Sequence, residues 1–429
     1  MESPSIIRED FLHYVWKTKQ FDLSRMVLVD GRNIKILRFG NHNHDAGPDF
    51  SEGLIEIDGI RWAGNIEIHV QSSQWKAHGH QKDPAYDNVI LHVVLEDDAP
   101  VKRADGTLIP TLELKDLIIP TLFKNYARLM SSSGWIPCEN MIQKVDPYKV
   151  SLWLNKVGVE RLERKTNEVE NLLSRVNNDW ERLSFIMISR YMGSKVNTFP
   201  MELMALQCDL KILAKNRNSV ETIEAILFGI SGLLNSSYED EYPTKLKREF
   251  SFYKKKYNLK SINPVAWKFS KMRPSNFPTI RISQIANLIH KNHFLLRSFI
   301  DAEDIHQLKH ILNCEASPYW DDHYRFDKSS KQLKKKLSNS WIEMLIINVV
   351  APLLFIYGNH IGDQNIKDKA ISFIESIPSE KNSIISKWKD LGIGCKNALQ
   401  SQGSLRLKQV YCQDSRCLEC SIGNDLIKF

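Results

Sequence analysis

The sequence has no internal repeat of fixed period, no low-complexity tract and no uninterrupted apolar run long enough to span a bilayer. Those absences argue against a solenoid, a linker-like chain and a membrane-embedded protein. The longest apolar stretch, Trp341 to Gly358, is broken by Glu343, Asn348 and Pro352, and reads as a buried helix. The opening MESPSIIRED lacks the basic-then-apolar order of an export signal, so a soluble, cytoplasmic protein without membrane association is expected. Cysteine is sparse, seven in 429 residues, an odd number with three close to the C-terminus. Such usage points to reduced thiols or metal ligands and away from a disulfide framework.

What is present is a globular composition, 42% hydrophobic and 25% charged, which excludes a disordered chain and gives a length suited to two or three domains. Charge is divided unevenly: residues 1–150 hold 17 Lys and Arg against 21 Asp and Glu, whereas the whole chain carries +7. A mildly acidic, histidine-rich head beside a basic body suits a protein that collects metal cations in one part and holds a polyanion in the other.

The α+β fold class follows from a change of hydrophobic period. Ile7, Phe11, Tyr14 and Val15 lie at helical spacing. Strand-like runs then flank Asp-Gly pairs: 26–29 with 34–39 around Asp30-Gly31, 50–57 with 60–70 around Asp58-Gly59, and 101–114 around Asp105-Gly106, with 89–96 a further strand. The head is therefore expected to be an N-terminal helix and a mostly antiparallel or mixed sheet over 1–120. From about Ile119 the period becomes 3.6, with helices expected over 149–177, 179–192, 220–234, 280–300, 341–356 and 366–374. A helical domain over 121–390 and a cysteine-containing segment over 391–429, packed on that domain, complete the expected organisation. Two polar stretches, 236–276 and 317–340, read as surface excursions or boundaries.

Six of the thirteen histidines, His42, His44, His69, His78, His80 and His92, fall between Asn41 and Val94. Neutral imidazoles and carboxylates are common ligands for divalent cations, so their concentration suggests a metal site. Two acids accompany them: Asp49, directly after Pro48 where a strand opens, and Glu67 near the end of the next strand, followed by Ile68 and His69. Alternation along a strand directs Glu67 and His69 to one face and Ile68 to the other.

In these residues the chain resembles the PD-(D/E)XK nuclease superfamily, with Pro48-Asp49, then Glu67-Ile68-His69 in place of acid, any residue and lysine, preceded by a helix bearing Glu9 and His13. The resemblance covers about residues 5–115. It implies that Asp49 and Glu67 ligate Mg²⁺ or Mn²⁺, that His69 takes the place of the lysine, and that Glu9 or His13 adds a helix-borne ligand. The chemistry is phosphodiester hydrolysis, in which the metal polarises the phosphate and lowers the pKa of a bound water. Register matters here. A two-residue turn at Asp58-Gly59 pairs Ile57 with Ile60 and hence Asp49 with Ile68, turning Asp49 away from Glu67. A three-residue turn, or a bulge at Gly53, Gly59 or Gly64, would return the two to a common face.

A second metal reading uses His78, His80 and His92 as a three-histidine zinc or iron site of a small-molecule hydrolase. A third reading makes the head a non-catalytic nucleic-acid-binding or scaffold module. The whole chain also looks like an uncharacterised bacterial family known only as a domain of unknown function, through REDFLHYVWK, HNHDAGPDF, the SSQW-to-HVV segment and CLECSIG.

In the body, KLKREFSFYKKKYNLK places Lys245, Lys247, Arg248, Lys254, Lys255 and Lys256 among Phe250, Phe252, Tyr253 and Tyr257, a pattern suited to phosphates and unpaired bases of DNA or RNA. Lys328, Lys331, Lys334, Lys335 and Lys336 form a second cluster. At the tail, Cys412, Cys417 and Cys420 are spaced C-x4-C-x2-C, which lets a short loop present several thiolates to an iron–sulfur cluster or Zn²⁺. Cys395 is the nearest fourth ligand; Cys138 or a histidine would also serve. The nuclease resemblance adds that some members carry an iron–sulfur cluster whose last three cysteines follow the catalytic domain. Cys208 and Cys314 read as packing.

Overall fold

The computed structural model describes residues 7–43, 45–164 and 166–428, so His44 and the first six residues lie outside the described residues. The fold is α+β and divides into two units, one of Met1–Trp153, Lys387–Ile393 and Leu405–Phe429, the other of Leu154–Ser386 and Gly394–Ser404.

The first unit opens with α1 (Glu9–Thr18), which buries the expected Phe11, Tyr14 and Val15 together with Leu12 and Trp16, while Ile7 precedes the helix. A six-stranded mixed sheet follows, formed by β1 (Ile34–Arg38), β2 (Asn41–His42), β3 (Phe50–Ile57), β4 (Ile60–Gln71), β5 (Val89–Glu96) and β6 (Thr111–Glu113). Its order is β1-β3-β4-β5-β6, with β2 also on β3; the first part is antiparallel, while β4, β5 and β6 run parallel. The parallel arrangement explains why β5 reads as a nearly continuous apolar run: every residue from Val89 to Leu95 is buried. The hairpin expected at Asp30-Gly31 reduces to a single bridge, Val27 with Asn33, because Val29 N–H donates to Thr111 and β1 pairs with β3.

The turn at Asp58-Gly59 is the expected two-residue turn, pairing Ile57 with Ile60 and continuing in register to Gly53 with Gly64. Between Gly53 and Phe50 one extra residue enters β3, so that Phe50 pairs with Ile66. Glu52 carries the bulge in the left-handed region, φ 59°. That conformation costs an L-residue with a Cβ about 1–2 kcal/mol relative to its usual wells. Glu52→Gly is thus expected to keep the bulge and raise unfolding stability by about 1 kcal/mol, offset in part by losing the Asn41 hydrogen bond to the Glu52 carboxylate. Denaturant melts of the two proteins measure it, and a marked loss of stability would contradict the assignment of strain to this residue.

Beyond β6, α3 (Pro120–Met130) and the C-terminal helix Ser421–Lys428 pack together, and the Asn125 side chain donates to the Ile427 carbonyl. The 391–429 segment expected to pack on the helical domain is split: its last 25 residues belong with the head, and so does 121–153.

The second unit is a helical assembly with a two-stranded ribbon, His323–Arg325 and Lys328–Ser329, inside the polar stretch 317–340. The other polar stretch contains a helix, Glu241–Tyr257, whose Leu246 and Phe250 are buried. Asn339–Ile361 is long and apolar enough to cross a membrane by length and composition, and 72% of its apolar window is buried inside the protein. Pro352 lacks the N–H that an α-helix would direct at residue 348, and the helix widens into a π turn over Ile346–Val350 just before it. Deep in this unit, fully buried Glu224 accepts hydrogen bonds from the hydroxyls of Tyr242 and Ser283.

Candidate metal centre

The β3 bulge decides what meets at the end of the sheet. With Phe50 opposite Ile66, Asp49 N–H donates to Glu67 Oε2 over 3.1 Å, and Asp49 Oδ2 accepts from Ile68 N–H over 2.9 Å. The two acids therefore share a face. Helix α1 brings Glu9 and His13, four residues apart on one side, to the same place: His13 Nε2 lies 3.2 Å from Asp49 Oδ2, and Glu9 interacts electrostatically with His78, Asp49 and His13.

The crossover from β4 to β5 delivers two further imidazoles. It starts in a knot in which Ser72 and Ser73 hydroxyls donate to the Asp98 carboxylate, forms the short α2 (Gln74–Ala77), and turns at Gly79 with φ 80°. Because Gly79 adopts that left-handed conformation without cost, His78 and His80 can both face the sheet end. Asp83 accepts from Ala85 N–H and caps the Pro84–Tyr86 turn. The His80 ring stacks on Tyr86 with centroids 3.9 Å apart.

The resulting geometry suits a metal ion. His69, His78 and His80 each offer a ring nitrogen, and these atoms all lie within 4.8 Å of one another. Measured separations are 3.2 Å from His69 Nε2 to His78 Nδ1, 3.3 Å from His80 Nε2 to Glu67 Oε1 and 3.6 Å from His69 Nε2 to Glu67 Oε1. Tetrahedral ligands at zinc-like bonds of about 2.0–2.1 Å stand about 3.3–3.4 Å apart, and these three separations lie near that value. His80 Nε2 is buried and close to the carboxylate without hydrogen-bond geometry, as expected of atoms aimed at a common point.

Electrostatics point the same way. Burial, then the charges of Asp49 and Glu9, push Glu67 up to about 9, while burial and the neighbouring imidazoles hold His69 down near 2. His80 is also held below the usual imidazole range, first by burial and then by His78. A buried carboxyl and imidazoles kept neutral at one spot are groups that a cation converts into ligands by displacing a proton from the acid.

Among the sequence expectations, Asp49, Glu67, His69, His78, His80 and Glu9 are brought together. His92 is not placed as a third ligand beside His78 and His80: its Nε2 lies 2.8 Å from His69 Nδ1, behind that ring. A contact on Nδ1 orients His69 so that Nε2 faces the centre, the usual arrangement for an imidazole ligand. His92 is pushed down to about 3, chiefly by burial. Lys76 lies exposed on α2. The sequence reading gave no role to Tyr86 as a wall of the site; the aromatic two residues before Asn88 carried no signal beyond its place in the histidine-rich segment.

On the basic helix, Lys245 pairs with Glu221 and Lys247 donates to the Ser236 carbonyl, whereas Arg248, Lys254, Lys255 and Lys256 are exposed. Phe250 is core, Tyr253 and Tyr257 pack against the core, and Phe252 is exposed with the Lys256 ammonium 5.6 Å from its ring. In the second cluster Lys335 is buried and donates to the Asp321 carbonyl. Cys395 belongs to the second unit, its sulfur 3.1 Å from Ser404 Oγ, while Cys412, Cys417 and Cys420 belong to the first. Burial pushes the Cys395 thiol up, against the lowering effect of its Ser404 and Ser401 hydrogen bonds.

No curated protein and no solved structure matches the chain. A family model described as "Protein of unknown function (DUF2851)" matches residues 9–383, and the chain belongs to that family.

Proposed function

We propose that the head is a metal-dependent hydrolase and that its substrates are the phosphodiesters of nucleic acid. The observation that carries this reading is the convergence of Asp49 and Glu67, from adjacent antiparallel strands, with three imidazoles and with Glu9 and His13 of the preceding helix. A helix, an antiparallel set of strands, a crossover and a parallel strand, with acids at the sheet end, support likeness to the PD-(D/E)XK arrangement. That is an argument from architecture, and the substrate class rests on it together with the exposed cations of helix Glu241–Tyr257.

Glu67, His69, His78 and His80 are the proposed ligands. Three imidazoles favour Mn²⁺, Fe²⁺ or Zn²⁺ over Mg²⁺, which prefers oxygen. A cation bound there supplies charge for a phosphoryl oxygen and acidifies a coordinated water. His92 fixes the His69 ring. Asp49 orients His13, an imidazole–carboxylate pair placed to accept a proton, and Glu9 Oε1, buried without a hydrogen-bond partner, faces the same region. His78 is exposed, so the centre is open to solvent on that side.

The test is incubation of the full chain with supercoiled plasmid, single-stranded DNA and RNA, with Mg²⁺, Mn²⁺ or Zn²⁺ and with chelator. Metal-dependent cleavage that disappears in Asp49→Ala and Glu67→Ala is expected. Identical products from wild type and both variants would remove the enzyme reading, and salt-sensitive binding without turnover would leave a non-catalytic nucleic-acid-binding protein.

A further inference from the structure

From Phe250 to Ile300 the sequence carries ten Lys and Arg and no Asp or Glu. After the helix Glu241–Tyr257 this stretch runs as a loop with two short 3₁₀ turns, Pro264–Ala266 and Pro274–Asn276, before it enters the helix Pro278–Lys291. Buried side chains pin the loop. Trp267 donates its ring N–H to the Ser231 carbonyl over 2.8 Å. Asn197, itself buried, holds both backbone groups of Lys268, donating to the carbonyl and accepting from the N–H. The backbone is thereby fixed while the side chains of Lys268, Lys271 and Arg273 stay exposed.

The two-stranded ribbon is strapped to the same helix. The Thr279 hydroxyl donates to the Tyr324 carbonyl over 2.6 Å, and the Gln284 side chain donates to the Lys335 carbonyl over 2.9 Å. Asp327, at φ 58°, turns the ribbon, and its carboxylate accepts from the N–H groups of Glu239 and Asp240. Asp322 Oδ1 lies 2.6 Å from His323 Nδ1. These two acids are thus occupied within the protein, whereas Lys328 in the ribbon, and Lys331 and Lys334 just after it, are exposed.

Aromatic rings and cations interleave where loop and ribbon meet. The Arg325 guanidinium lies 4.6 Å from the centre of the Phe269 ring and 5.1 Å from that of Phe277, and the two rings are themselves 5.2 Å apart. Phe277 in turn meets Tyr324, whose ring has Lys335 Nζ 4.4 Å from its centre. Phe269, Phe277, Tyr324 and Arg325 are all half-buried, so each is packed on the protein and still reaches solvent. In the first turn of the helix, Arg281 is only 2% exposed, and its guanidinium lies 4.0 Å from the centre of the Trp341 ring. Its hydrogen bonds go to the neutral side-chain oxygens of Gln284 and Asn276, and its Nε has no hydrogen-bond partner among the described residues. Burial holds Arg281 down to about 10, so it stays charged at neutral pH. A buried cation with neutral partners adds positive potential to a surface that is already cationic.

We propose that the loop 267–277 and the segment 323–334 form a binding track for single-stranded nucleic acid. Unpaired bases stack on the open faces of Phe269, Phe277, Tyr324 and Arg325, and phosphates meet the exposed cations Lys268, Lys271, Arg273, Lys328, Lys331 and Lys334. Cations alone would serve any polyanion. The half-exposed rings select strands whose base faces are not already stacked in a duplex. The track rests on the nucleic-acid part of the proposed function, to which it adds a surface and a strandedness, and it holds whether or not the head is a hydrolase.

The experiment uses the full chain with chelator, so that no metal-dependent cleavage intervenes. Labelled single-stranded DNA, RNA and duplex DNA of about 16 nucleotides are titrated by fluorescence anisotropy at several salt concentrations, beside vesicles containing an anionic lipid. Single strands are expected to bind about tenfold or more tighter than duplex, with a slope of log K on log salt of about −4 for six phosphates. Replacing Lys328, Lys331 and Lys334 together by Ala, all at exposed positions, should reduce that slope by about 2. Arg325→Lys keeps the charge and loses the planar face, so it should weaken single-strand binding about fivefold or more while leaving the salt slope and duplex binding unchanged, a split that a misfolded protein does not produce. Glu67→Gln is expected to bind as wild type, so the track and the metal centre fail separately. Equal affinity for single strands and duplex, Arg325→Lys protein that binds as wild type, or binding to the vesicles without binding to single strands overturns the proposal.

Discussion

Glu67→Gln is expected to lower metal-dependent hydrolysis about 10³-fold or more, equivalent to about 4 kcal/mol in the barrier, while the chain remains folded. The substitution retains an oxygen to accept from Asp49 N–H, so the sheet end keeps its hydrogen bond and loses the anionic ligand. Its buried carboxyl is driven up to about 9, which means the protein holds a group whose charged form is costly there. Such a site is disfavoured in the metal-free state and rewarded on loading. The second readout is thermal: Mn²⁺ or Zn²⁺ at about 100 times its Kd should stabilise wild type by about 2.7 kcal/mol through this site, and that increment should vanish in the variant. An equal metal-induced shift in Glu67→Gln protein would show that Glu67 is not a ligand.

The second large effect concerns the helical unit and is a dependence on pH. Burial pushes Glu224 from 4.5 up to about 7, against the lowering effect of its Ser283 and Tyr242 hydrogen bonds. The folded chain therefore keeps a proton that the unfolded chain gives up, and stability falls as pH rises from about 4.5 to about 7, then levels off. A shift of that size corresponds to about 3 kcal/mol across the window. Glu224→Gln should remove most of this slope while preserving two hydrogen-bonding atoms for Ser283 and Tyr242. Denaturant unfolding at pH 5, 6, 7 and 8 checks it; parallel curves for the two proteins would mean that Glu224 does not contribute to the slope.

The strands and the turn at Asp58-Gly59 were legible because alternation and turn chemistry are local. The common face of Asp49 and Glu67 was not, because the deciding residue is Glu52, a glutamate with no marked preference for the left-handed region and next to the glycine that would have been the natural suspect. The histidines were visible as a group, but sequence spacing chose His92 over His69. Only the parallel pairing of β4 with β5, Glu67 opposite His92, shows which ring stands behind and which in front. The basic helix was readable as charge, yet only the fold separates Lys245 and Lys247, which are engaged, from Arg248 and Lys254 to Lys256, which are not buried.

The extra residue in β3 turns site formation into a matter of parity. Two chains of this family could share every strand, the helix and all the ligand residues, yet differ by a single codon between the Pro48-Asp49 pair and the Asp58-Gly59 turn. With an odd change in that spacer the carboxylate of Asp49 would rotate to the far side of the sheet, and a relative that cannot bring the two acids together would be distinguishable from one that can by counting residues alone.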